Sequence, residues 1–467
     1  MSSSSFGRIP WVALVAVLVA SAGFSEEWAC AQTTQAASSQ PNIVFLLTDD
    51  MRWDAMGCAG MANLRTPNLD RLAGEGVRFA NMFCTTSICA VSRASFLTGQ
   101  WASRHGVQDF ATPLSAEAFA ETFPALLRRG GYRTAFVGKW GLGDPLPTKE
   151  FDYWDGFPGQ GKYFEKEGAE HLTRIIERKA LEFVKTCEAD RPFLLCLSTK
   201  APHVQDSHPK QFLPDPMYDA LYADVTFPPP VTANEQAFKA LPDFVQNSEG
   251  RTRWQRRFAT PEQYQESVRN YHRLIAGVDR LVGRLREALD AAGLADNTVI
   301  LFTSDNGFFL GEHGLAGKWL MHEESIRLPL IVCDPRVSRP RRGRVEARMV
   351  LVPDVAPTIC ELAGVMVPIR MQGKSLVPLV AGRDIPWRGE WFYEHHYSHG
   401  GRIPQTEGVR TERWKYIRYI EHDPPVEELY DLVNDSVEQR NFAENPEHAS
   451  TLEQLRERWR VLKAEAR

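Results

Sequence analysis

At 467 residues the chain is long enough to bury a large core, and the length points to one big domain with a smaller one attached. A net charge of −5 and a pI near 6.2 leave no electrostatic case for nucleic-acid binding as the main activity. Hydrophobic content of 43% with 24% charged residues is that of an ordinary soluble globular protein.

The chain opens with the pattern of an export signal, predicted over residues 1–31. Arg8 supplies the positive start, Trp11 to Ala22 is mostly apolar, and Ala29-Cys30-Ala31 is a small-residue cleavage site. The apolar run is too short for a stable membrane span. Residues 32–41 read as a polar, Ser/Thr/Gln-rich tether.

Asn42 to Leu47 is an apolar run that ends in Thr48-Asp49-Asp50, as expected for a buried parallel strand with carboxylates at its C-terminal end. The pattern recurs. Thr134–Val137 leads into Gly138-Lys139-Trp140-Gly141, and Phe193–Leu197 into Thr199-Lys200-Ala201-Pro202-His203. Val299–Phe302 leads into Thr303-Ser304-Asp305-Asn306-Gly307, and Pro329–Val332 reads as a further strand. Helical patterns lie between and after the strands at Thr122–Arg129, His171–Thr186, Pro261–Ala292 and Val355–Ala363. This alternation predicts an α/β fold with a large, mostly parallel sheet sandwiched by helices. Such sheets bind ligands beyond the carboxyl ends of their strands, where Asp49, Asp50, Lys139, His203, Asp305 and Asn306 would converge.

Between residues 204 and 260 the alternation breaks, with Pro228-Pro229-Pro230 marking a long irregular excursion. Within it, Arg251 to Arg257 gathers four arginines around Trp254; this is either a solvated helix face or a patch for a polyanionic sugar. A boundary near Gly382–Pro386 separates a domain over 42–382 from a unit over 383–467. That unit combines β-prone runs at Glu390–Glu394, Gly408–Tyr419 and Glu427–Leu432 with a charged helix at Glu444–Ala464. It reads as a small α+β unit, an antiparallel sheet plus a helix.

The densest stretch is Cys89 to Gly99. Ser92 and Arg93 suit a helix start and Gly99 a helix stop, and Cys89 and Arg93, four apart, share one face. A reactive group at Cys89 would sit at the positive end of that helix, with Arg93 offering a donor fork to an oxyanion. Apart from Cys30 and Cys89, six cysteines remain, enough for disulfides in an oxidising compartment but equally compatible with buried thiols. No paired C-x-x-C spacing points to zinc.

This stretch resembles the type I sulfatase signature, Cys-x-Pro/Ala-x-Arg followed by Leu-Thr-Gly, with Cys89, Arg93, Leu97, Thr98 and Gly99 fitting and Val91 departing from it. Ser304 to Leu330 resembles the family's downstream block, and the likeness runs over about residues 41–465. The resemblance implies an alkaline-phosphatase-like fold and hydrolysis of a sulfate ester, with a sulfated carbohydrate as the expected substrate. It implies that a formylglycine-generating system oxidises Cys89 to formylglycine, whose hydrated aldehyde is the nucleophile. It further implies that Asp49, Asp50, Asp305, Asn306 and residue 89 hold a divalent cation. An all-oxygen set favours Ca²⁺ over Mg²⁺. Lys139 and Lys318 match sulfate-binding lysines, and His203 matches the histidine that protonates the leaving alcohol. The family often carries a histidine where this chain has Gly141, and that histidine expels sulfate; another base, a water or His313 would have to serve here. His313, His396 and Arg402 are expected to contact substrate. The competing readings are a phosphate or phosphonate ester hydrolase of the same superfamily and a non-catalytic carbohydrate-binding protein.

Overall fold

The computed structural model describes residues 40–467 apart from Ala62, so the expected export signal and the tether up to residue 39 lie outside the described residues. Residues from Gln40 onward form one compact unit built on a nine-stranded sheet. Its strands include β1 (Asn42–Asp49), β2 (Val77–Phe83), β3 (Arg133–Lys139), β4 (Tyr153–Phe157), β5 (Phe193–Pro202) and β6 (Thr298–Ser304). β1 lies at the centre, parallel to β5 on one side and β6 on the other, with β3 and β4 continuing the parallel run beyond β5.

β1 has no solvent face. Ile43, Phe45 and Leu47 pack into the core on one side of the sheet, and Val44 and Leu46 into that on the other. That is why it reads as a continuous apolar run without alternation. The core on the second side is closed by the helices Leu172–Val184 and Pro261–Ala291, which contribute Ile176, Phe183, Tyr271, Leu274 and Leu281. The register aligns the carboxyl ends: Thr48 is level with Ser304, Asp49 with Pro202, and Gly138 with Ser198. One edge of the sheet therefore carries the polar ends of β1, β3, β5 and β6.

The sheet is mostly parallel, as expected, with the strand Arg327–Cys333 antiparallel to both β6 and β2. Other elements differ from expectation. The Gly408–Tyr419 run is two strands, Thr406–Thr411 and Trp414–Tyr419, of a four-stranded antiparallel sheet completed by Glu390–His395 and Val426–Asp431. The helix Ala449–Ala466 backs that sheet, setting Leu452 and Leu455 against Val409, Tyr416 and Leu429. The excursion after residue 204 is not wholly irregular, since it includes the helix Glu249–Arg257. Arg388 ties the approach to the second sheet to the main body through a fork–fork pair with buried Asp354.

The helix α2 (Cys89–Thr98) begins at Cys89, three residues before the expected start at Ser92. Ile88, extended at φ −154°, stands at its N-cap, where no side chain caps the first turn. All ten helical residues are buried. Two of its hydroxyls bond back within the helix, Ser95 donating to the Val91 carbonyl at 3.1 Å and Thr98 to that of Ala94 at 2.7 Å. Gly99 ends the helix in the left-handed region at φ 67°, which favours glycine.

Candidate active site

Seven side chains from five segments meet beyond the sheet edge. β1 ends on Asp49 with Asp50 next to it, the helix Cys89–Thr98 supplies Cys89 and Arg93, β3 ends on Lys139, and Asp305 and Lys318 follow β6. All seven are at most 5% exposed. Cys89 is the hub: its Sγ lies 2.8 Å from Lys318 Nζ and 3.3 Å from Asp49 Oδ1. Arg93 spans the site. Its Nε and Nη2 each lie 2.9 Å from Asp305 Oδ2, while Nη1 donates to Ser198 Oγ at 2.6 Å and to the Lys139 carbonyl at 3.0 Å. Lys139 pairs with Asp49 and donates to Gln160 Oε1 at 2.5 Å, and Lys318 pairs with Asp50 at 2.5 Å. Asp49, Asp50 and Asp305 are thus matched by Arg93, Lys139 and Lys318, as buried charges must be.

The ionisation of the site follows from these pairs. Burial pushes Asp49 up, but Lys139, His203, Lys318 and Arg93 outweigh it and hold its carboxyl well below the usual range. Burial pushes Asp50 up to about 6 against the pull of Lys318, and burial together with the charge of Asp49 raises Asp305. Burial and the Asp49 carboxylate also push the Cys89 thiol up, so the unmodified side chain is a neutral thiol and a poor nucleophile.

A hard cation fits this donor set. Asp50 Oδ2 and Asn306 Oδ1 are buried acceptors without a hydrogen-bond partner, as the ligand atoms of a hard cation would be. Among the described residues, donor atoms of Asp49, Asp50, Cys89 and His203 lie within 4.8 Å of one another. Asp305 faces the same group, but its Oδ2 is turned to Arg93 and its Oδ1 accepts from the Asp50 backbone at 3.2 Å. Asp50 sits at φ 64°, a conformation that aspartate tolerates better than most residues, and the Tyr271 hydroxyl donates to its carbonyl at 2.8 Å.

His203 stands at the edge of this cluster with Nε2 3.5 Å from Asp50 Oδ2. Gly141 also lies there: a Cβ on it would meet Arg93 Cδ at 3.0 Å and Lys139 Cε at 3.4 Å. His313 is elsewhere. It packs edge-on against His322 with ring centroids 5.1 Å apart, its backbone N–H donates to the Thr232 carbonyl, and burial pushes its imidazole down to about 4. His396 is tied to Glu407 at 3.1 Å, a carboxylate that also holds Trp459 and Lys463 of the last helix. Arg402 is half exposed, pairs with Glu249 at 3.1 Å, and lines the same small recess as Lys318 and Trp319.

Of the four arginines at 251–257, Arg256 is exposed and the other three are engaged by the fold. Arg251 is sandwiched between Phe238 and Trp254 at 4.0 and 3.9 Å, Arg253 lies over Trp319 at 4.9 Å, and Arg257 is buried against Asp206 and Gln211. Ser92, within the Cys89–Gly99 stretch, donates to the Asp305 carbonyl at 2.5 Å, and two residues outside every motif, Ser198 and Gln160, also touch the cluster. Those two come from separate stretches, and no spacing in the sequence flags them.

A family model described as Sulfatase matches residues 41–365, and one for the C-terminal part of N-sulphoglucosamine sulphohydrolase matches residues 311–465. An N-acetylglucosamine-6-O-sulfatase of Bacteroides thetaiotaomicron is 30% identical over 91% of this chain and 87% of its own length. An ulvan-active sulfatase of Formosa agariphila is 28% identical over 89% of this chain and 80% of its own. A solved structure of a protein in complex with its substrate D-glucosamine-2-N,6-O-disulfate superposes with a TM-score of 0.79 at 29% identity, covering 91% of this chain and 98% of that one. A phosphonate monoester hydrolase of Agrobacterium radiobacter shares the fold, with a TM-score of 0.76 at 22% identity over 91% of this chain and 96% of its own.

Proposed function

The chain belongs to the sulfatase family, a family of sulfuric ester hydrolases, and from that premise we propose that it removes a sulfate ester from a sulfated carbohydrate, using residue 89 as formylglycine beside a bound divalent cation. What carries this reading is Cys89 at the first turn of a buried helix, between Lys318 Nζ and Asp49 Oδ1, with Arg93 one turn on. The printed activities of the relatives at 30% and 28% identity, on N-acetylglucosamine 6-sulfate and ulvan, favour a glycan.

Asp49, Asp50, Asp305 and Asn306 would hold the cation with the oxygen of residue 89; Ca²⁺ suits these oxygen donors. When bound, the cation and the formylglycine supply a nucleophilic oxygen and polarise the sulfuryl group. The chain's own residues do the rest. Lys139, Lys318 and Arg93 are fixed cations around the sulfuryl oxygens and stabilise charge in the transition state. Arg93 is pre-organised by Asp305, Ser198 and the Lys139 carbonyl, so orienting it costs little during turnover. His203 protonates the departing sugar oxygen from Nε2. Gly141 offers no side chain for the later proton removal.

Arg402, beside Lys318 in the same recess, contacts the sugar beyond the sulfate. The positive start, apolar run and Ala29-Cys30-Ala31 support export before the protein meets its substrate, and among the described residues no helix is long and apolar enough to cross a membrane. The test is sulfate release from a panel of sulfated saccharides, run beside a phosphonate monoester and beside Cys89→Ala. Release from a sulfated sugar, lost in the variant, is expected. Turnover of the phosphonate ester alone would overturn the reading in favour of the related hydrolase, and binding without turnover would favour a carbohydrate-binding protein.

A further inference from the structure

The end of β5 carries a further buried lysine that the chemistry above does not use. Lys200 is 1% exposed, and its Nζ donates to the Val204 carbonyl at 2.9 Å. The same carbonyl accepts from His203 Nδ1 at 2.6 Å. Since a carbonyl oxygen only accepts, Nδ1 must carry the hydrogen, and Nε2 is left as the nitrogen that faces Asp50. The turn is closed from its other side as well. The His203 backbone N–H donates to the Lys200 carbonyl at 2.9 Å, and the hydroxyl of fully buried Tyr163 donates to the His203 carbonyl at 2.6 Å. Lys200 Nζ lies 5.2 Å from the centroid of that tyrosine ring, and the Gln205 side chain accepts from the Tyr163 backbone at 2.9 Å. Both carbonyls that flank the imidazole are thus held, one by Lys200 and one by Tyr163.

Burying an ammonium is costly unless it is well bonded, and a methionine would fill much the same volume without that cost. A lysine in this position needs a reason other than packing. We propose that Lys200 is a positioning residue for the reaction: with Tyr163 it holds the 203–204 turn so that the Val204 carbonyl keeps the hydrogen on Nδ1 of His203 and leaves Nε2 as the nitrogen that takes up a proton from solvent and, as imidazolium, hands it to the leaving oxygen. This rests on the reading of His203 as the proton donor to that oxygen. Lys200 does not touch the reacting atoms. Its effect is confined to the step in which a proton reaches the leaving group.

That confinement separates the proposal from a merely structural role. Leaving groups that depart as stable anions, such as 4-nitrophenolate, need no proton, whereas a sugar alkoxide does. Lys200→Met and Tyr163→Phe, the second removing a single hydroxyl, are compared with wild type and His203→Ala on a series of aryl and sugar sulfates. A misplaced donor is expected to lower kcat on the sugar sulfate by about tenfold to a hundredfold in Lys200→Met, with KM unchanged, and by less in Tyr163→Phe. On 4-nitrophenyl sulfate the loss is expected to stay within about threefold, so the dependence of rate on leaving-group pKa steepens in parallel with His203→Ala. In the free protein, ¹⁵N chemical shifts of histidine-labelled samples should place the His203 hydrogen on Nδ1 in wild type, with that preference weakened in Lys200→Met. Equal losses on all substrates, no loss on any, or an unchanged tautomer would overturn the proposal. If His203→Ala itself shows no dependence on the leaving group, the assignment of His203 as proton donor is what fails. If wild type releases no sulfate from any ester, the sulfatase reading fails, and the tautomer measurement still decides whether Lys200 fixes the ring.

Discussion

Restoring a histidine at position 141 is expected to harm this protein rather than help it. Gly141 adopts φ +76°, in the left-handed region, where a side chain costs about 1–2 kcal/mol. A Cβ there would also press on Arg93 Cδ at 3.0 Å and Nε at 3.2 Å. Arg93 has no room to retreat, being held by Asp305 at 2.9 Å, Ser198 at 2.6 Å and the Lys139 carbonyl at 3.0 Å. Relief must therefore come at the expense of one of those bonds, which displaces a cation from the sulfuryl oxygens. Losing one such donor typically costs about 10²–10³ in kcat. The stability loss alone is small, since unfolding entropy scales with chain length and about 1–2 kcal/mol shifts Tm by only about 1–2 °C in a chain this long. The assay is therefore turnover: sulfate release by Gly141→Ala and Gly141→His beside Tm from calorimetry. The expected result is a modest fall in Tm for both variants and a fall in kcat of about a hundredfold or more for the histidine. A gain in turnover for Gly141→His with no loss of Tm would refute the reasoning.

Other outcomes follow from the same geometry. Stringent chelation should lower both turnover and Tm, and Ca²⁺ should restore both; stoichiometric zinc, or full activity without metal, would contradict the oxygen-donor site. Arg402→Ala should weaken turnover of a sulfated oligosaccharide while sparing a small aryl sulfate, because remote contacts are absent from the small substrate. His396→Ala should instead lower Tm and affect both substrates alike, since it removes a partner of Glu407. Buried Glu428, pushed up to about 7 by desolvation, accepts from Tyr419 at 3.0 Å. Its folded pKa lies above the unfolded value of 4.5, so the stability it contributes is complete below about 4.5 and is lost as pH rises through 7. Glu428→Gln should abolish that loss, making the variant on the order of 3 kcal/mol more stable relative to wild type at pH 8 than at pH 4.5, by denaturant unfolding at the two values. An unchanged difference across that interval would show that Glu428 is not desolvated in the folded state.

Much of the fold was legible because the central strands are buried on both faces. Asn42–Leu47 and Val299–Phe302 could be read as uninterrupted apolar runs, and their polar ends mark the edge where the cluster forms. Strand direction was not legible in Arg327–Cys333, because an apolar run looks the same whichever way its neighbours point. The start of α2 was misjudged because Ile88 is no cap residue: the first turn is fixed by its burial, and sequence propensity for Ser92 was overridden. His313 lies inside the Ser304–Leu330 block, yet it adopts φ 54° and packs edge-on against His322 rather than facing Cys89. Sequence proximity says nothing about which way a turn throws its side chain. Gln160, Tyr163 and Ser198 belong to no motif, and only the tertiary fold brings them to Lys139, His203 and Arg93.

The proposed chemistry turns on what residue 89 is in the working protein. The direct measurement is the mass of the peptide carrying residues 89–93, taken from a preparation whose sulfate-releasing activity has been assayed in the same sample. The expected result is replacement of the Cys89 thiol by an aldehyde or its hydrate, in a fraction that rises with specific activity across preparations. A fully active sample in which residue 89 is entirely unmodified cysteine would contradict the account.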